Sequence, residues 1–566
     1  MLLKVSLLVV FFAVTIIVGL YFRKRNTSIN SYVLGGRSIG PWLTAFAYGT
    51  SYFSAVVFVG YAGQFGWRFG ISAVWIGLGN AFIGSLLAWV VLARRTRIMS
   101  RHLNSATMPD FFGARFGSGK LKIGASLITF VFLVPYTASL YNGLSRLFAM
   151  AFGVDFVYCI IAMAILTAIY VIAGGYTATA VNDFIQGLIM LAGIVAVVAA
   201  VLNANGGFEQ SLAALARVSD AGAPEASLRG APGVFASFFG PEPLNLLGVV
   251  LLTSVGTWGL PQMVQKFYSI RSEKNINTGT VVSTVFAIVI SGGCYFLGGF
   301  GRLFSDGIDV AANGYDSIIP TMLSNFPDLL IGIVIVLVFS ASISTLSALV
   351  MTSASTFALD FLKGNIVKSA SEKTQLAIIR LLVAAFILVS AIIAIVQSRS
   401  SITFIAQFMG ISWGALAGAF LAPFLYGLYW KRVTAAAVWA NFAFASVFMV
   451  LNIAAKSYFP AMLQSPINAG AFAMLAGMAI VPLVSALTPA PDKKRVDGCF
   501  SCYDAAVAVR ARESLGIAED GAAAKQANAV KQTAAVAKQG STVGEMAPKQ
   551  GAAKRGSRSR QQRRKG

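Results

Sequence analysis

The sequence predicts an all-α polytopic membrane protein of about 13 transmembrane helices, and three observations carry that prediction. Of 566 residues, 57% are hydrophobic and 11% charged, with a mean hydropathy of +0.74, whereas about a quarter of the residues of a soluble domain are charged. Apolar runs recur along the chain up to Ala486, each near the roughly 20 residues that a helix needs to cross about 30 Å of hydrocarbon. A backbone facing lipid must satisfy its own hydrogen bonds, which makes these runs helices. Finally, Lys and Arg alternate between loops: before the C-terminal tail is counted, twenty fall on one side of the thirteen runs and eight on the other. By the positive-inside rule the N-terminus is outside and the C-terminus cytoplasmic. Localisation in the inner cell membrane, as a multi-pass protein, is expected.

The runs lie near 2–22, 42–63, 71–92, 123–149, 155–173, 181–202, 244–265, 277–300, 329–358, 377–397, 402–427, 434–455 and 468–487. The first has only Lys4 before it, Arg23, Lys24 and Arg25 directly behind it and no small-residue cleavage site. It reads as a retained span, not a signal peptide. The second, AFAYGTSYFSAVVFVGYAG, groups Gly49, Thr50, Ser51 and Ser54 near its centre. The seventh, LLTSVGTWGLPQMVQKF, sets Thr253, Ser254, Gly256, Thr257 and Gly259 before Pro261. Small residues serve helix packing in membranes, but glycine with several hydroxyls and a proline predicts broken helices, whose freed carbonyls and half-helix ends can hold solute or ions. Spans two and seven are five apart, the period of two inverted five-helix repeats over spans 2–6 and 7–11.

Asp183, in GGYTATAVNDFIQG near the start of span six, is the carboxylate that reaches furthest into the membrane interior. Such acids are costly and functional by default; an N-cap role is the alternative. Span nine, FSASISTLSALVMTSAS, is dense in hydroxyls. Ala341, Ser344 and Thr345 share a face at i, i+3 and i+4, with Ser347 one turn beyond Ser344. Hydroxyls can simply bond to the preceding turn. Alternatively, with carbonyls freed by the break in span two, they form an oxygen cage for a hard cation such as sodium.

Other chemistries find little footing. Cys159 and Cys294 lie in apolar runs, while Cys499 and Cys502 form one CxxC without the further ligands a zinc site needs. The sole histidine, His102, stands in a polar stretch beside Arg101, Leu103 and Asn104. No paired carboxylates or metal cluster suggest an enzyme, and no cofactor beyond a coupling sodium is expected. Residues 1–488 form the transmembrane domain. Residues 489–566 read as a disordered basic cytoplasmic tail with a short helix near Ala505–Leu515, carrying +9 of the net +23 charge. That tail is drawn to anionic lipids; nucleic acid is not an expected partner.

Six motifs in order, YVLGGRSIG with TSYFSA, TMPDFFGARFG, GGYTATAVNDFIQG, GLPQMVQKFYSIRS, SASISTLSAL and WGALAGAFLAPFLYGLYWKRVT, resemble those of the sodium:solute symporter family. Its members carry proline, pantothenate, monocarboxylates, sialic acid and sugars. The resemblance implies a leucine-transporter-type fold and a sodium site made of the carbonyls of Thr50, Phe53 and Ala341 with the hydroxyls of Ser344 and Thr345. It also implies a second cation site at Asp183 and Ser347, although Ala348 stands where members with that site have a hydroxyl. Solute would lie against Phe53, Ser54, Tyr136, Thr137, Tyr141, Asn142, Thr253, Thr257, Gln407 and Trp413. The family's proline carriers have an aspartate where this chain has Tyr52 and a tryptophan where it has Thr253. The expected function is sodium-coupled import of a small organic solute by alternating access; the alternatives are a proton-coupled carrier and a membrane solute sensor.

Overall fold

A computed structural model describes residues 2–22, 28–218, 233–310, 314–324, 326–362, 371–398 and 405–514. Most of the predicted tail, the basic loop residues Arg23–Arg25, Arg229, Lys363, Lys368 and Arg399, and the first residues of the run at 402–427 lie outside them. Helices account for nearly all of the described chain. The main ones are α1 (Leu2–Phe22), α2 (Pro41–Tyr52), α3 (Val56–His102), α4 (Met108–Phe116), α5 (Gly119–Phe152), α6 (Phe156–Ala204), α7 (Pro243–Val255), α8 (Pro261–Ser269) and α9 (Lys274–Gly299). After them come α10 (Asp328–Thr356), α11 (Glu372–Ser398), α12 (Ile405–Tyr429), α13 (Ala435–Ala454), α14 (Pro466–Leu487) and α15 (Lys493–Ser514). Ten of the described helices are long and apolar enough to cross a membrane, or eleven if the bent pair α7–α8 is one span.

Burial sorts the helices into centre and rim. The most apolar stretch of α12 is 83% buried and that of α10 78%, against 22% for α1. α10 packs on α6, α5 and α1, and α12 on α14, α5 and α13. Val9, Val10 and Ile17 of α1 stay exposed, as an outer membrane helix requires. Gly66 and Gly298 let α3 and α9 touch backbone to backbone, for a Cβ on Gly66 would fall inside the chain at Gly298 and one on Gly298 inside the chain at Ala62. Two helices are far longer than one crossing: α3 has 47 residues and α6 has 49. Each is interrupted at a glycine, Gly70 at φ 63°, ψ −143° and Gly175 at φ 56°, ψ −165°, close to a backbone region that is essentially closed to other residues.

Both predicted helix breaks are present. α2 ends at Tyr52, Phe53 is extended at φ −103°, ψ 106°, and the helix resumes at Val56. α7 tightens into a 3-10 turn at Gly256–Gly259, Leu260 is extended, and α8 restarts on Pro261 at a 46° bend. Proline at the first position of α8 gives up a donor that a helix start leaves unpaired anyway.

The tail departs from expectation. α15 begins at Lys493, well before the short helix placed at Ala505, and the compact unit extends to Tyr503. Val496, Cys499 and Phe500 form a buried i, i+3, i+4 stripe. Asp497 pairs with Lys431 at 2.8 Å, Arg95 sits 4.0 Å from the Tyr429 ring and 4.6 Å from that of Tyr503, and His102 Nε2 contacts Gly498 O at 2.7 Å. His102 is thus the last residue of a helix with a tertiary partner, not a loop residue. Burial raises the Cys499 thiol above its ordinary pKa, against the pull of Arg115 and Arg495. That shift disfavours the reactive thiolate. Burial likewise lowers the Arg115 guanidinium to about 10.

Candidate functional site

The break in α2 leaves the Thr50 carbonyl without a regular helical partner ahead of it, and α10 supplies two. Ser344 Oγ donates to Thr50 O at 3.1 Å and Thr345 Oγ1 does so at 3.0 Å. The same hydroxyls lie 3.1 and 3.0 Å from Ala341 O, one turn back. Four of the five predicted sodium oxygens therefore converge between two helices, with 294 residues separating Ser344 from Thr50. Each hydroxyl also carries lone pairs, so a rotation about its C–O bond would turn them toward a cation. Phe53, the fifth residue, is buried at the break itself, its N–H bonded to Gly49 O.

Asp183 does not cap a helix. It lies eight residues beyond Gly175 within α6, fully buried, and neither carboxylate oxygen has a hydrogen-bond partner. Across from it, 4.0 Å from Oδ2, is the ammonium of Lys266, which also stands 5.2 Å over the Tyr176 ring. Lys266 directly follows the run at 244–265 and so counts among the twenty loop charges of the cytoplasmic side, because a lysine ordinarily ends an apolar run; in fact it is 3% exposed inside α8. Its place in the α8 stretch PQMVQKF, five residues after the helix-starting proline, was the signal available. Ser347 bonds back to Ser344 O at 2.8 Å. Tyr170, which donates to Ile343 O at 2.7 Å, lies beside Ser347.

The predicted solute residues divide. Tyr136 and Trp413 meet edge to face at 5.9 Å, Trp413 lies 6.0 Å from Tyr52, and Tyr52 stacks on Phe53 at 4.2 Å. Ser54 faces the Tyr136 hydroxyl. Here Tyr136 Oη lies near Ser54 and the Trp413 side chain, yet neither Tyr136 Oη nor Trp413 Nε1 makes a well-formed hydrogen bond; such buried atoms are costly unless a ligand or water meets them. A cavity of about 10 Å³ beside Phe53, Ser54, Cys294 and Ala341 has room for no more than a water. The Tyr52 hydroxyl, not foreseen in this role, donates to Thr253 O and ties α2 to α7.

Others point elsewhere. Thr137 and Thr253 bond to their own preceding turns at Leu133 O and Val249 O, and Thr257 to Ser254 O and Gly84 O. Asn142 donates to Gln397 of α11 at 2.8 Å, while the buried Tyr141 hydroxyl makes no hydrogen bond. Gln407 lines a separate cavity of about 560 Å³ with Gln64, Arg68, Asn245 and Lys456. Six residues along α12 separate it from Trp413, about 9 Å at 1.5 Å per residue.

A family model described as "Sodium:solute symporter family" matches residues 32–443. The chain belongs to the sodium:solute symporter family. The osmoregulated proline transporter OpuE of Bacillus subtilis (strain 168) is 28% identical over 428 residues, covering 75% of this chain and 83% of the relative. A sodium/proline symporter of Staphylococcus aureus (strain JH9) is 30% identical over 460 residues, covering 79% and 85%. Among solved structures, a Na+-coupled sialic acid symporter in a substrate-bound outward-open state has 18% identity and a TM-score of 0.70, covering 87% of this chain and 98% of its own. The chain shares that fold. As a member of this family the protein is a multi-pass sodium-coupled symporter of a small solute and not an enzyme.

Proposed function

We propose that sodium binds between the broken α2 and α10, at the Thr50, Phe53 and Ala341 carbonyls and the Ser344 and Thr345 hydroxyls, and drives import of a small organic solute. The observation that carries this reading is the approach of both α10 hydroxyls to Thr50 O within 3.1 Å. Sodium entering from outside ties α2 to α10 and favours the conformation in which solute can bind; coupling requires that the ion bind one conformation better than the other. Solute sits among Phe53, Ser54, Tyr136 and Trp413, where the unpartnered Tyr136 hydroxyl and Trp413 N–H supply directional contacts. Opening to the cytoplasm separates α2 from α10 and releases both.

Thirteen spans with the N-terminus outside are consistent with this scheme. Dividing α3 at Gly70 and α6 at Gly175 and counting α7–α8 as one span gives that number. The inner cell membrane is the expected location, with the basic tail on its cytoplasmic face against anionic lipid. Proline, carried by the two relatives, is the first cargo to try; Tyr52 and Thr253 argue for a different one.

The test is uptake into proteoliposomes with a sodium or a potassium gradient at fixed pH, preceded by a thermal-shift screen of amino acids, carboxylates, sugars and vitamins in each salt. Stabilisation by solute that requires sodium is expected. Unchanged sodium dependence in a Ser344→Ala, Thr345→Ala double variant would refute the ion site.

A further inference from the structure

Within the same bundle lies a second pair of groups that the sodium scheme leaves unused. Asp183 and Lys266 are 1% and 3% exposed, from α6 and from α8 beyond the break, and stand 4.0 Å apart. Both carboxylate oxygens lack hydrogen-bond partners, so the balancing charge comes from the lysine. Among the described residues near them are uncharged groups: the Tyr176 ring against the ammonium, and Ser347, which lies beside Tyr170 and bonds to Ser344 O. Tyr176 in turn shares a 2.9 Å hydrogen bond with Ser269 of α8.

We propose that the Lys266 ammonium is the built-in counter-cation of Asp183, holding the position a second sodium would need, and so limits the transporter to one sodium per cycle. A buried carboxylate requires a positive partner, because an unpaired charge in a low dielectric is several kcal/mol unfavourable. Once the lysine provides that partner the site is neutral. Adding sodium would leave a net positive charge in the same dry surroundings. Lysine also differs from a bound ion in being tethered. It remains in the bundle through the whole cycle, holding α8 to α6 without being delivered to either side. Ala348, beside Ser347 on α10, withholds the further hydroxyl that a sodium here would draw on. The inference rests on the sodium reading above for the first ion and concerns only the number of ions.

Equilibrium binding of radioactive sodium to the purified full-length protein in detergent counts sites without knowledge of the solute. One site per chain is expected in the wild type and two in Lys266→Gln, where the freed carboxylate recruits an ion. The charge-balanced double variant Asp183→Asn, Lys266→Gln, which removes both ions of the pair and is the safer to fold, is expected to keep one site at unchanged affinity. Two sites in the wild type, one site in folded Lys266→Gln, or loss of the single site in the double variant would each overturn the proposal. No sodium binding by the wild type would refute the sodium reading itself, and this inference with it.

Discussion

Two polar clusters buried in the bundle, one between α2 and α10 and one between α6 and α8, are built in opposite ways. The hydroxyl cage at Thr50, Ala341, Ser344 and Thr345 contains no formal charge, and its oxygens already satisfy one another at 3.0–3.1 Å. The pair at Asp183 and Lys266 contains two buried charges 4.0 Å apart that cancel. A neutral cage exchanges an ion cheaply, because with the ion absent its hydroxyls bond to its carbonyls and nothing is left unpaired. A charged pair does not, because removing either member strands the other. On the reading proposed above, reversible coupling belongs to the cage, and permanent attachment of α8 to α6 belongs to the pair.

The contrast is broken most severely at the pair. Lys266→Gln in potassium is expected to lower stability by about 3–5 kcal/mol, the usual consequence of leaving one partner of a buried ion pair alone. Sodium should recover part of that loss, and a thermal melt in the two salts measures both. A drop of the same size in sodium and in potassium would mean that the vacated position takes no ion. At the cage, Ser344→Ala with Thr345→Ala should weaken apparent sodium affinity about 100-fold, about 2.8 kcal/mol at 1.4 kcal/mol per tenfold, while stability in potassium falls by about 1–3 kcal/mol, the cost of leaving Thr50 O unpaired. Sodium-dependent uptake curves read the first effect.

Smaller effects sharpen the comparison by leaving both clusters intact. Tyr52→Phe removes the hydroxyl that donates to Thr253 O and should lower stability by about 1 kcal/mol, the net worth of a typical hydrogen bond. Its solute affinity should change while sodium affinity measured without solute does not; a shift in the latter would join the aromatic chamber to the cage energetically. Smallest of all, Asp497→Asn breaks an exposed pair with Lys431 and should leave the melting temperature and the sodium response unchanged, as exposed ion pairs contribute little.

Much of the cage was legible in the chain. The i, i+3, i+4 spacing of Ala341, Ser344 and Thr345 sets them on one face by helical periodicity alone, and glycine with hydroxyls announced the breaks at Phe53 and Gly256–Leu260. Lys266 was not legible, because a charge at the end of an apolar run ordinarily marks the membrane surface, and only its burial against Asp183 shows that it is internal. Gln407 shares a span with Trp413, but six residues along a helix carry it to a different cavity, a separation that no motif reveals. The start of α15 was missed because the stripe Val496, Cys499 and Phe500 is short and set among charges, and it is apolar enough to bind only when a preformed surface receives it.

Composition and periodicity by themselves determined the membrane class, the helical runs, the breaks in them and the hydroxyl face of α10, because each of these depends on residues within a few turns of one another. Tertiary structure alone decided that Ser344 and Thr345 meet Thr50, that Lys266 meets Asp183 and that Tyr52 closes on Thr253. Those partners lie on different helices, and which atoms come within 3 or 4 Å depends on how bent helices pack, a property that no single stretch of sequence contains.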